Sequence, residues 1–115
     1  MSQPQSPKPE ITIEDFAKLD LRTARILRVE PHPNADKLLK MAIDIGGEER
    51  QIVAGIAPYY RSEDLLGKSI VVVANLKPVK LRGEWSHGML LAASGGDRVV
   101  VLAPASEIPP GSPVS

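Results

Sequence analysis

Leu39-Lys40-Met41-Ala42-Ile43-Asp44-Ile45-Gly46-Gly47-Glu48-Glu49-Arg50-Gln51-Ile52-Val53-Ala54 is the stretch whose reading decides the fold. Leu39, Met41, Ile43 and Ile45 alternate with Lys40, Ala42 and Asp44, which puts four apolar side chains on one face of an extended segment. Gly46-Gly47 supplies a turn, and residues 51–54 resume the extended pattern. The stretch predicts a β-hairpin with one face buried.

On its N-terminal side, Pro31-His32-Pro33-Asn34-Ala35-Asp36 predicts a loop, because prolines remove hydrogen-bond donors and Asn and Asp favour local turns. In residues 21–30 the apolar phase slips: Ala24 and Ile26 share one face, Leu27 and Val29 the other. A long strand with a bulge or strong bend accommodates that slip. Before it, Thr12 offers an N-cap with Asp15 three residues on, and Ile13, Phe16, Ala17 and Leu19 form a short apolar stripe. A short helix is expected at 13–18. Residues 1–10 hold three prolines and no apolar period, so they predict a flexible arm, leaving 11–115 as one domain.

On the C-terminal side, Ser62 precedes Glu63-Asp64-Leu65-Leu66 and Gly67 stops the pattern, which predicts one or two helical turns. A buried strand is expected at 69–76, a polar connection at 77–88, and two paired strands at 89–93 and 98–102 around Gly95-Gly96. The tail 104–115 contains four prolines and predicts no further element.

Composition agrees with a strand-built core. The chain of 115 residues is 43% hydrophobic but 3% aromatic, so aliphatic and β-branched side chains must fill the interior. Without cysteine there is neither a disulfide framework nor a thiol nucleophile, and the two histidines make no zinc site. No apolar run approaches the about 20 residues of a membrane span, and the polar, proline-rich start is unlike a signal peptide, so a cytoplasmic protein is expected. No phosphate loop, nucleophile elbow or catalytic acid pair is visible, which points away from an enzyme.

Net charge is zero, but its distribution is uneven. Residues 18–40 carry six basic groups against three acidic ones, 41–66 reverse the balance, and 77–88 return to positive through Lys77, Lys80 and Arg82 against Glu84. Charge alone leaves open one basic face or an ordinary mixed surface. The order of elements gives an all-β fold: an oligonucleotide-binding (OB) five-stranded Greek-key barrel with short N-terminal and inter-strand helices. In that architecture a ligand lies across strands two and three, between the loops that here fall at 30–37 and 77–88. Barrels of this shape also bind sugars and proteins.

Five blocks carry a resemblance to a known family. They are Ile13-Glu14-Asp15-Phe16 with Asp20-Leu21-Arg22; Asn34-Ala35-Asp36-Lys37-Leu38; Ile52-Val53-Ala54-Gly55-Ile56 with Tyr59-Tyr60; Val73-Ala74-Asn75-Leu76-Lys77-Pro78; and Ser86-His87-Gly88-Met89 with Leu91-Ala92-Ala93. Their order resembles the transfer RNA (tRNA)-binding domain found at the C-terminus of many methionyl-tRNA synthetases and as free-standing dimeric proteins. The resemblance implies an OB barrel that binds the shape of tRNA and dimerises through its N-terminal helix and C-terminal extension.

Expected RNA-binding residues are Lys37, Arg50, Lys77, Lys80 and Arg82 toward phosphates, and Asn34, Asn75 and Ser86 toward sugar or base edges. Met89 reads either as a nucleotide contact or as a core residue opening the fifth strand, and Asn75 either as an RNA contact or as a turn bond. Trp85 reads as a base-stacking ring or as a lid on the barrel. Asp20 and Arg22 predict an internal ion pair, Tyr59 and Tyr60 core or interface packing, and Phe16 and Leu19 a dimer interface. No catalytic residue, metal or cofactor is expected. The expected partners are tRNA, a second copy of the chain and the catalytic part of methionyl-tRNA synthetase, and no membrane. The alternative is an export-associated chaperone of the CsaA type that binds peptides on the same barrel.

Overall fold

The computed structural model describes residues 7–115. Of the expected arm, only 7–10 fall among the described residues, where they are exposed and without regular structure. Helix α1 (Ile13–Phe16) is capped by Thr12, whose hydroxyl accepts the Asp15 N–H at 3.1 Å. It is shorter than the expected 13–18, because the chain turns at Ala17 to enter β1 (Leu21–Pro31). Then follow β2 (Leu39–Asp44), β3 (Glu49–Ala54), the single helical turn α2 (Ser62–Leu65) and β4 (Ser69–Val73). After these come β5 (Val79–Leu81), β6 (Glu84–Ser86), β7 (Met89–Leu90), β8 (Ala92–Gly95), β9 (Arg98–Val101) and β10 (Pro113–Val114).

The main sheet runs β3-β2-β1-β4-β7, antiparallel throughout. Strand β1 holds it together by pairing with β4 through 21–25 and with β2 through 25–31. The register shifts between Ile26 and Arg28, the bulge that the slipped apolar phase required. Curled by that bend, the sheet nearly closes on itself. Across the seam the His87 N–H donates to the Gln51 carbonyl at 2.9 Å, and the Val53 N–H donates to Ser86 Oγ at 3.0 Å. The result is a five-stranded OB-type barrel.

Alternation fills it. Leu39, Met41 and Ile43 on β2 point inward to join Ala24, Ile26, Ile52, Ile70, Val72 and Leu90, and Leu65 of α2 packs into the same cluster. Each fully buried aliphatic side chain of this size stabilises the fold by about 1.5–3 kcal/mol.

Two expectations at the C-terminal end are corrected. The fifth strand is split at Leu91: β7 pairs with β4, β8 with β9, and the Leu91 N–H still reaches the Val71 carbonyl at 3.0 Å. The tail, expected to lack structure, contributes β10, which pairs with Leu21 and Arg22. Thr23 anchors it: its buried hydroxyl donates to the Pro109 carbonyl at 2.9 Å and accepts the Ser112 N–H at 3.0 Å. Gly111 passes so close to Ile45 that a Cβ there would sit 2.5 Å from the Ile45 carbonyl oxygen. Those partners lie in distant parts of the chain, so no local pattern announces the element.

Candidate nucleic-acid interface

The connection expected at 77–88 is itself a hairpin. Strands β5 and β6 pair through Val79–Ser86, Lys80–Trp85 and Leu81–Glu84, and both turn residues, Arg82 and Gly83, have positive φ (52° and 95°) as a type I′ turn demands. His32 ties this arm to the loop after β1. Buried to 5% exposure, its Nε2 lies 2.9 Å from the Leu81 carbonyl while its Nδ1 accepts the Asn34 N–H at 2.9 Å. Those partners assign the neutral imidazole with its proton on Nε2. As a consequence Asn34, Lys37 and Arg82 line one open depression of about 570 Å³.

Between the two loops lies the outer face of β2 and β3, where cations and carboxylates neutralise one another. Lys40 Nζ lies 3.2 Å from both Glu30 and Glu84 carboxylates. Hydrogen bonds to Glu30 and then Glu84 raise the lysine pKa, and the bond from Lys40 lowers that of Glu84. Arg28 pairs with Glu49 on that face, while Arg50, opposite Ile43 on the inward side of β3, pairs with Glu48 at 2.9 Å at the barrel end. The rim differs: Lys37, Lys77, Lys80 and Arg82 are exposed and make no salt bridge among the described residues, as is also true of Lys8, Lys68 and Arg98. Unpaired, hydrated cations on a fixed rim are groups an anionic polymer can engage without breaking existing pairs.

Other expected contact residues serve the fold. Ser86 accepts the Val53 N–H and donates to the Gly88 carbonyl at 2.9 Å, and at 2% exposure its hydroxyl lies out of reach of RNA. Asn75 clamps the entry to β1, donating from Nδ2 to the Lys18 carbonyl at 2.8 Å and accepting the Asp20 N–H at 2.9 Å. Arg50 donates from Nη1 to the Ala74 carbonyl at 2.5 Å, so β3 is stapled to the end of β4. Met89, at 49% exposure, lies at the surface and not in the core. Asp20 and Arg22 form the expected ion pair at 2.9 Å, and Tyr60 is half-buried with its hydroxyl accepting the Val101 N–H at 3.0 Å, while Tyr59 is exposed.

Sequence reasoning missed His32, whose only signal was a histidine between two prolines. Helix α1 buries no residue in the barrel; Leu19 and Ile13 are exposed and Phe16 is half-buried.

A family model described as "Putative tRNA binding domain" matches residues 21–113. The chain belongs to the tRNA-binding domain family. Among curated relatives of this tRNA-binding domain, methionine–tRNA ligase of Thermotoga maritima is 60% identical over 105 residues, covering 91% of the chain and 17% of the ligase. The Clostridium tetani ligase is 54% identical over 109 residues, covering 93% of the chain and again 17% of the ligase. The chain thus spans less than a fifth of the length of these relatives. Its fold matches the MetRS-related protein of Pyrococcus horikoshii with a TM-score of 0.88 and 35% identity, covering 94% of the chain and 100% of that protein. It also matches the chaperone CsaA of Bacillus anthracis with a TM-score of 0.84 and 33% identity, covering 93% of the chain and 100% of CsaA.

Proposed function

We propose that this tRNA-binding domain is a non-catalytic module that binds tRNA by shape and serves a methionyl-tRNA synthetase, as part of it or beside it, in the cytoplasm. The observation that carries this reading is the rim of Lys37, Lys77, Lys80 and Arg82, which make no salt bridge among the described residues, while Arg28 and Lys40 on the adjoining face and Arg50 at the barrel end are neutralised. Cations on a rigid rim meet phosphates, and structured RNA is read mainly through phosphate, shape and 2′-hydroxyl contacts. Little dependence on sequence follows. Asn34 and Met89, both exposed, complete the contact surface. The apolar residues Ile13 and Phe16 of α1, with the exposed Leu19 just after it, support a homodimer, tested by sedimentation at micromolar concentration.

The likeness to CsaA supports a second reading, a chaperone whose peptide ligand docks on exposed apolar surface. Competition decides between the two. With labelled tRNA bound to the chain, unlabelled tRNA is expected to displace it better than an RNA duplex or an apolar peptide. Binding of the peptide alone would install the chaperone reading in its place.

A further inference from the structure

We propose that Trp85, with Lys77, Pro78 and His87 around it, forms a stacking site for one unpaired nucleobase of an RNA, with Lys77 and Lys80 set to take the adjoining phosphate. The proposal rests on the tRNA-binding reading and adds to it a subsite that charge alone would not provide.

The site begins with strand alternation. On β6, Glu84 and Ser86 face the barrel, so Trp85 must face away from it. The main chain is anchored on the barrel side, where the Trp85 carbonyl accepts from Gln51 Nε2 at 2.9 Å. Trp85 is 48% exposed, whereas a residue whose ring closed the barrel would be buried. Directly across the hairpin, Lys80 holds its Nζ 5.9 Å from the centre of the indole. His87, two residues on, has its ring centre 6.4 Å away and its plane tilted by 31°, so the two rings diverge and do not stack on each other. Lys77, Pro78, Trp85 and His87 together line an apolar depression of about 410 Å³.

A flat aromatic wall beside Lys77 and Lys80, neither of which makes a salt bridge among the described residues, complements one chemistry in particular, a planar heterocycle joined to a phosphate. The base must be unpaired, because a base inside a helix offers no free face. The His32 bond to Leu81 holds the hairpin in place, which lowers the cost of ordering the site. Stacking is indifferent to base identity, so the subsite selects for exposed single-stranded bases and not for a sequence.

Trp85 is the only tryptophan of the chain, so its fluorescence reports on the site directly. The full chain is titrated with unfractionated tRNA and with a blunt RNA duplex, following tryptophan emission alongside anisotropy of the labelled RNA. Quenching is expected with tRNA and little with the duplex. Trp85→Leu is expected to weaken tRNA binding by roughly 10-fold, within the about 5- to 150-fold that base stacking is worth, at an unchanged salt slope. Trp85→Phe is expected to restore most of the affinity. If tRNA binds but the emission and the Trp85→Leu affinity stay as they were, the stacking site falls and the tRNA module stands. If tRNA does not bind, both fall; if an apolar peptide alone quenches the emission, the depression is a peptide site.

Discussion

The imidazole of His32 and the carbonyl of Leu81 meet at 2.9 Å, 49 residues apart in sequence, and this contact joins the two loops that flank the outer face of β2 and β3. It holds the β5 side of the hairpin near its tip, whereas β6 is held to the barrel by Lys40 at Glu84 and by Gln51 at the Trp85 carbonyl. His32→Phe keeps a ring in the buried site but leaves the Leu81 carbonyl and the Asn34 N–H unpaired. A loss of about 1–3 kcal/mol in stability is expected, with faster amide exchange in the hairpin and weaker tRNA binding. Exchange in the hairpin as slow as in the wild type would show that the contact does not hold the arm.

Ser86 sits in one of the five blocks that carry the resemblance, yet its hydroxyl is used within the barrel seam. Ser86→Ala removes the acceptor of the Val53 N–H and the donor to the Gly88 carbonyl. About 1–3 kcal/mol of stability is expected to be lost in urea unfolding, while tRNA affinity measured in the cold, where the protein stays folded, is unchanged. Weaker binding at unchanged stability would return Ser86 to the RNA surface.

The blocks on which Ser86 and Asn75 lie are legible in the sequence, but what their side chains bond is not. A polar residue near a loop serves a ligand or an unpaired main-chain group equally well, and the choice depends on which strand ends arrive beside it. The hairpin at 39–54 was legible because its alternation is local and faces one core. The bulge in β1 showed itself as a phase slip. By contrast, β10 depends on bonds to Thr23 and a close approach to Ile45, and the β5–β6 hairpin on His32, Gln51 and Lys40, all contacts that no window of local sequence contains.

Gly111 tests the docking of the tail. Its φ of +84° and the approach of a Cβ to the Ile45 carbonyl make Gly111→Ala strained as well as crowded. A destabilisation of about 1–3 kcal/mol is expected, with loss of protection at the Thr23 amide, which donates to the Ser112 carbonyl at 3.0 Å. Wild-type stability in this variant would mean that the tail docks without needing glycine.

Asp44 sets part of the acid limb of stability. Its carboxylate accepts the N–H groups of Gly47 and Gly46, both at 2.8 Å, and these bonds hold its pKa below the ordinary 3.8. A carboxylate whose folded pKa is depressed contributes stability that is complete above its unfolded value and is lost as pH falls through the folded one. The Asp44 contribution is therefore present from about pH 5 upward and disappears below pH 4. In Asp44→Asn, stability against urea is expected to fall less steeply over that range than in the wild type. Parallel curves would show that the turn does not depend on the charge.

Rim cations that engage the phosphates of tRNA make its binding salt-dependent. Anisotropy of labelled tRNA is followed across a salt series for the wild type and for the combined Lys37→Ala, Lys77→Ala, Lys80→Ala and Arg82→Ala variant. Each phosphate contact contributes about 0.7–0.9 to the slope of log K against log salt, so a steep wild-type slope is expected, reduced by about 3 in the variant. A variant that keeps the wild-type slope and affinity, or wild-type binding indifferent to salt, would contradict the engagement of phosphates by the rim.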